Sequence, residues 1–204
     1  TAGLNKKAVK VNVNVFDESG GTGTTCFALG TKVWMNDGTW KNIEDVTLTD
    51  SLKSMNIDGL PNSDNFGDYG FWSTGSIAGA SITDSDAVFN GQDYYYDHYE
   101  IIDENDNSIK STYEHPFLVY RDLSLNNDGN ITEATPKYCW VRAKSLDKYT
   151  DKLVNSNKEL VSIKTINYTE SEALFVKLDV EDNNTYFVKL GDNAIAVHNA
   201  GKAP

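Results

Sequence analysis

No apolar run among the 204 residues approaches the roughly 20 residues that a membrane-spanning helix needs. The opening residues, Thr-Ala-Gly-Leu-Asn-Lys-Lys, lack the apolar core of a secretory signal. Cysteine is scarce. Cys26 and Cys139 are the only two, too few for a disulfide framework in a chain of this length, and a pair of thiols suits a reducing intracellular compartment. No Cys/His cluster has metal-ligand spacing, so neither a metal nor a cofactor is expected. Positive charge is also short. Lys and Arg number 18 against 30 Asp and Glu, a formal net charge of −12. That balance argues against nucleic-acid binding, where Lys and Arg must neutralise phosphates. The acidic residues are scattered (Asp64, Asp68, Asp84, Asp86, Asp103, Glu104, Asp106), as on a solvated surface.

The remaining composition, 39% hydrophobic and 24% charged, is that of one ordinary globular domain. Residues 8–16 alternate apolar and polar with β-branched side chains, a strand pattern. Residues 18–25 are a Gly/Thr/Ser linker, and a new element opens at Cys26. Lys32 to Met35 reads as a strand and Asn36-Asp37-Gly38 as a hairpin turn. Residues 59–98, rich in Gly, Ser, Asp, Asn and Tyr, read as a loop-rich stretch with one or two strands. Tyr99–Ile102 and Ser108–Thr112 flank a polar turn and predict a hairpin. Phe117–Tyr120 reads as a strand, and a short helical turn is expected within residues 140–146. Residues 159–166, 173–180, 184–190 and 194–198 read as four more strands. No long amphipathic helix emerges, and the class is all-β.

Four short features far apart in sequence carry chemically capable residues. They are Cys26-Phe27-Ala28-Leu29-Gly30-Thr31-Lys32-Val33, Thr112-Tyr113-Glu114-His115-Pro116-Phe117, Asn184-Thr185-Tyr186-Phe187-Val188 and Val197-His198-Asn199-Ala200. Between them stand Asp37-Gly38, Ile43-Glu44-Asp45-Val46 and Trp140-Val141-Arg142-Ala143-Lys144-Ser145-Leu146. In this order they resemble the intein, or Hint-domain, family over Cys26 to Asn199. The resemblance implies a horseshoe-like all-β fold of two pseudo-symmetric halves, with both ends of the domain meeting at one centre. The paired acidic helix motifs of a homing endonuclease are absent. The expected division is a host flank at 1–25, the Hint domain at 26–199 and a second flank at 200–204. The implied partners are these flanks alone, in a monomer that engages neither nucleic acid nor membrane. A bacterial or phage-type host fits.

The resemblance also implies a single-turnover chemistry. Cys26 attacks the carbonyl of Thr25 and converts the peptide bond to a thioester. His115 serves the Cys26 amide nitrogen as proton donor. Thr112 orients His115 or donates to the developing oxyanion. At the other end, the Asn199 side-chain nitrogen attacks its own main-chain carbonyl, forming a succinimide and releasing Ala200 with help from His198. An amide is a weak nucleophile, so positioning supplies much of that rate. His98 and Cys139 lie outside these motifs and read as structural.

The chain departs from the family pattern at three positions. Ala200 has no side-chain nucleophile, so transesterification by residue 200 is excluded. Bacterial intein-like domains, which cleave at either end or ligate through the freed amine, fit this. An engineered precursor trapped by alanine fits equally. Lys177 stands where the family often has Asp, and Asn184 where it commonly has His; both are retained as supporting positions. Two other readings remain open: a hedgehog-like autoprocessor that passes the acyl group to an external nucleophile, and a degenerate Hint domain acting as a structural or binding module.

Overall fold

The computed structural model describes residues 25–57, 75–125 and 135–199. The expected strand at 8–16, most of the linker and the flank at 200–204 lie outside the described residues. Twelve strands form one antiparallel network. They are β1 (Phe27–Ala28), β2 (Lys32–Trp34), β3 (Trp40–Asn42), β4 (Ser51–Asn56), β5 (Ser81–Asp103), β6 (Ser108–Ser111), β7 (Pro116–Arg121), β8 (Lys137–Arg142), β9 (Asp151–Val154), β10 (Leu160–Val180), β11 (Thr185–Leu190) and β12 (Asn193–His198). The strand order is β3-β2-β11-β12-β7-β9-β10-β1-β6-β5-β4, and β8 pairs with β7. The helical content among the described residues is three single 3-10 turns. The fold is all-β, as the sequence predicts.

The chain repeats one supersecondary unit. In the first half β3 ends at Asn42, a 3-10 turn runs Ile43–Asp45, and β4 follows. In the second, β8 ends at Arg142, a 3-10 turn runs Ala143–Ser145, and β9 follows. Residues 42 and 142 adopt nearly the same backbone angles, φ −60° and ψ 137° against φ −67° and ψ 147°. Each turn closes with the amide of the residue after it, Val46 or Leu146, donating to the carbonyl of its first residue. Ile43 and Ala143 bury the same face of the two turns. Each unit then leads into a long strand, β5 or β10, and these two pair antiparallel from Ile163↔Asp103 to Val180↔Ala87.

That pairing revises the reading of residues 59–98. In their described part, the one or two expected strands are a single strand running unbroken from Ser81. The signal was hidden because most residues of 88–97 are exposed on both faces, so polar side chains never alternate with apolar ones. The segments expected as separate strands at 159–166 and 173–180 are likewise one strand, irregular between Glu170 and Ala173. The helical turn expected within 140–146 occupies only its second part, since residues 140–142 complete β8. Gly38 closes the predicted Asn-Asp-Gly turn at φ +86°, a left-handed conformation that favours glycine.

The core gathers Val33, Ile101, Phe117, Val176, Val188 and Val197 from both halves. Cys139 packs inside it on β8. At its margin Arg121, facing Asp151 across β7 and β9, grips that carboxylate through Nε at 2.7 Å and Nη2 at 2.8 Å. Asp151 is fully buried and also accepts the Asp147 amide at 2.9 Å. Arg121→Ala strands this charge, and such breakage costs about 3–5 kcal/mol. A urea titration is expected to show a correspondingly lower midpoint; an unchanged midpoint would mean water replaces the guanidinium.

Candidate active site

Strand β1 is two residues long, yet it places Cys26 deep in the domain. Phe27 pairs with Ser111 on one side and with Val176 on the other, so residue 26 is held between β6 and β10. Thr25 and Cys26 are both buried. Their connecting amide is bound through its nitrogen, the Cys26 N–H donating to Thr112 Oγ1 at 3.0 Å, while the Thr112 N–H donates to the carbonyl of the following peptide, that of Cys26, at 3.0 Å. Thr112 therefore touches the nitrogen that would be the leaving group.

Thr112 opens the turn that carries His115. The His115 amide donates to the Thr112 carbonyl at 3.3 Å, while the amides of Ala143 and Lys144 donate to the carbonyls of His115 and Tyr113 at 2.9 and 3.0 Å. Glu114 locks the turn from outside, with Arg142 at 2.7 Å and Lys144 at 2.5 Å from its two oxygens. The motif residues between Thr112 and His115 thus have a mechanical task. The His115 ring lies in an aromatic nest, 4.0 Å between centroids from Phe27, 5.8 Å from Phe117 and 6.4 Å from Tyr186. Neither ring nitrogen has a hydrogen-bond partner among the described residues. Burial, with His198 as a second cause, pushes its pKa well below the ordinary imidazole value, so His115 is neutral at pH 7.

The other end arrives on β12. His198 pairs with Thr185 and stacks edge-on against Trp140, ring centroids 5.3 Å apart. The Asn199 amide donates to the Asn184 carbonyl at 2.8 Å. Its side-chain nitrogen makes two long contacts, 3.4 Å to Asn184 Oδ1 and 3.5 Å to the Val180 carbonyl. Asn184 sits at φ +54°, a left-handed angle that asparagine tolerates better than most residues. Strand β10 links the two ends. Its Val176 pairs beside Cys26 and its Val180 receives Asn199, four residues or about 13 Å along a strand. Thr112 and His115 thus gather at Cys26, and Asn184 and His198 at Asn199, two groups drawn from most of the chain and joined by β10. Ala200 lies outside the described residues.

Three further residues lie beside this centre: Tyr95 and Asp179 carry no motif signal, and Tyr186 stands inside the Asn184–Val188 feature without a role assigned to it there. Tyr95 on β5 places its hydroxyl 3.6 Å from Cys26 Sγ. Asp179 lies two residues beyond Lys177, on the same face of β10, with its carboxylate 3.6 Å from the Lys177 ammonium. Tyr186 is fully buried with its hydroxyl unpartnered among the described residues. Burial, followed by Asp179 and Cys26, raises its pKa. Burial also pushes the Cys26 thiol up to about 12 against the lowering pull of Tyr95 and Lys177, with Asp179 and Asp93 adding to the rise. The cysteine is accordingly a neutral thiol at rest. His98, read as structural, packs its ring 5.5 Å from Phe175. Among the described residues no three metal-ligating side chains converge.

No family model and no curated protein sequence matches the chain. Solved structures do. It resembles a bacterial intein-like domain from Clostridium thermocellum, at 18% identity and a TM-score of 0.59, over 85% of this chain and 98% of that one. It resembles a DnaB intein from Synechocystis sp. PCC 6803 at 15% identity and 0.57, over 86% and 99%. It resembles the gp41-1 intein at 16% identity and 0.53, over 87% and 100%. The chain has the intein fold. At these identities the likeness is one of architecture, and the repeated halves agree with it. What the site does with that fold rests on its own side chains.

Proposed function

We propose that this intein-fold domain processes itself, cutting at Thr25–Cys26 through Cys26 and at Asn199–Ala200 through Asn199. The observation that carries the reading is the Thr25–Cys26 junction itself: a buried peptide whose nitrogen is hydrogen-bonded to Thr112 Oγ1 at 3.0 Å. In the first step the Cys26 sulfur bonds to the Thr25 carbonyl carbon. The carbon–nitrogen bond then breaks, and the thiol proton ends on the freed Cys26 amine. Thr112, already on that nitrogen, and neutral His115 at the same turn steer the proton. Burial, which pushes the thiol pKa up to about 12, favours the protonated sulfur at rest. In the second step the Asn199 side-chain nitrogen closes on its own carbonyl and expels the amine of residue 200. Asn184 fixes that side chain through its own carbonyl oxygen and main chain. Without a nucleophilic side chain at residue 200, the thioester is resolved by water, an external thiol or a free amine.

Intact-mass spectrometry of the full chain at pH 8, with and without dithiothreitol, tests this. Loss of residues 1–25 with thiol, and of 200–204 independently of it, is the expected result. Unchanged mass after several days would leave a Hint-type scaffold serving as a binding module.

A further inference from the structure

The motifs that define the centre leave the Cys26 sulfur itself unattended. Thr112 holds the backbone nitrogen, and the His115 ring packs on Phe27. The Cys26 thiol donates to the Tyr95 hydroxyl oxygen at 3.6 Å, inside sulfur hydrogen-bond range. Tyr95 belongs to the long β5 arm, in a tyrosine run whose neighbours Tyr94 and Tyr96 are exposed. Tyr95 is half-buried, turned inward with its ring edge-on to Phe175 at a centroid distance of 5.8 Å. Phe175 pairs with Ala28 of β1, one strand position beyond Cys26 and Phe27. The ring is thus fixed to the same β10 segment that fixes the cysteine.

We infer that Tyr95 is a positioning residue for the proposed acyl shift, its phenol holding the Cys26 sulfur toward the Thr25 carbonyl and donating to the sulfur as the thiol proton departs. The inference rests on the self-processing reading for its consequence but not for its geometry. The bonds made and broken are unchanged: sulfur to carbonyl carbon forms, carbon to nitrogen breaks, and the proton passes to the Cys26 amine. The phenol keeps its own proton throughout. Donation from the phenol to the sulfur favours the thiolate over the thiol, which opposes the burial that otherwise dominates here. The other groups acting on the sulfur are Asp93 from β5, Lys177 and Asp179 from β10, and Tyr186 from β11. Lys177 and Asp179 act in opposite senses and lie 3.6 Å apart. The phenol acts on the sulfur in the same sense as Lys177 and against Asp179.

Tyr95→Phe removes the hydroxyl and keeps the ring on Phe175; Tyr95→Leu removes both. Two rates are followed in the full chain between pH 7 and 10.5: thiol-induced release of residues 1–25, and iodoacetamide labelling of Cys26, resolved from Cys139 by peptide mapping. Both variants are expected to label and cleave several-fold to tenfold more slowly at a fixed pH, with both pH profiles displaced upward and release of 200–204 unchanged. A displacement of one pH unit corresponds to about tenfold at fixed pH. Wild-type profiles in Tyr95→Phe, or a displacement seen only in Tyr95→Leu, would place Tyr95 in packing and overturn the inference. If the parent chain never cleaves, the self-processing reading fails, and the labelling profiles still decide whether Tyr95 acts on the sulfur.

Discussion

Cys26→Ala is expected to abolish thiol-induced release of residues 1–25 and to leave release of 200–204 running. Asn199→Ala is expected to do the reverse. The first effect is total because sulfur supplies the only bond that converts the amide into a cleavable ester; a methyl group at residue 26 offers no substitute. The fold tolerates the change, since alanine removes a single sulfur from a packed site and costs only a modest cavity. Independence of the two cuts follows from the geometry. Thr112 serves the nitrogen at one end, and Asn184 holds the amide and side chain at the other. Intact mass of the two variants and their combination reads both cuts at once. Persistence of the first cut in Cys26→Ala, or of the second in Asn199→Ala, would remove that residue from the nucleophile's role.

His115→Leu is expected to slow the first cut by about 10²–10⁴-fold, the usual contribution of a positioned acid–base group, while making the domain more stable. The imidazole is fully buried among Phe27, Phe117 and Tyr186, with both nitrogens unpartnered among the described residues. An unsatisfied buried polar group costs about 1–3 kcal/mol, and leucine of similar volume leaves none. The pH dependence has a definite sign. His115 has a folded-state pKa well below its unfolded value near 6.5, so its neutral form stabilises the fold fully above that value. As pH falls below it, the unfolded chain takes up a proton that the folded chain refuses, at up to about 1.4 kcal/mol per pH unit. Urea midpoints at pH 7.5 and 5.5 are therefore expected to lie higher in His115→Leu, with the larger gain at pH 5.5. A lower midpoint, or an equal gain at both pH values, would mean the native imidazole has partners that the structure does not place.

The centre was legible in sequence where its residues are tied to short local motifs. Thr112 and His115 share one turn, and Val197-His198-Asn199 ends one strand, so their spacing survives divergence of the rest. Tyr95 was not legible because its neighbours are polar and exposed on both faces of β5, which erases the alternation that marks a strand. Its role depends on the β5–β10 pairing, a contact between residues about eighty apart. Lys177 was read as the loss of an acid. The structure shows an acid two residues on, at Asp179, on the same face because side chains of a strand repeat every second position. Tyr186 sits in a visible motif, but nothing in that motif foretells a hydroxyl left bare in the core.

The burial of Thr25 has a consequence for transplantation. The residue just ahead of the junction is buried, although under the proposed chemistry it departs with the other product. A new host protein must therefore present a side chain of about threonine's bulk at that address. Tryptophan or arginine there would force the core open before any bond is cut. Under the proposed chemistry, residue 25 would be a point at which the bulk of a side chain decides whether a host sequence can be carried.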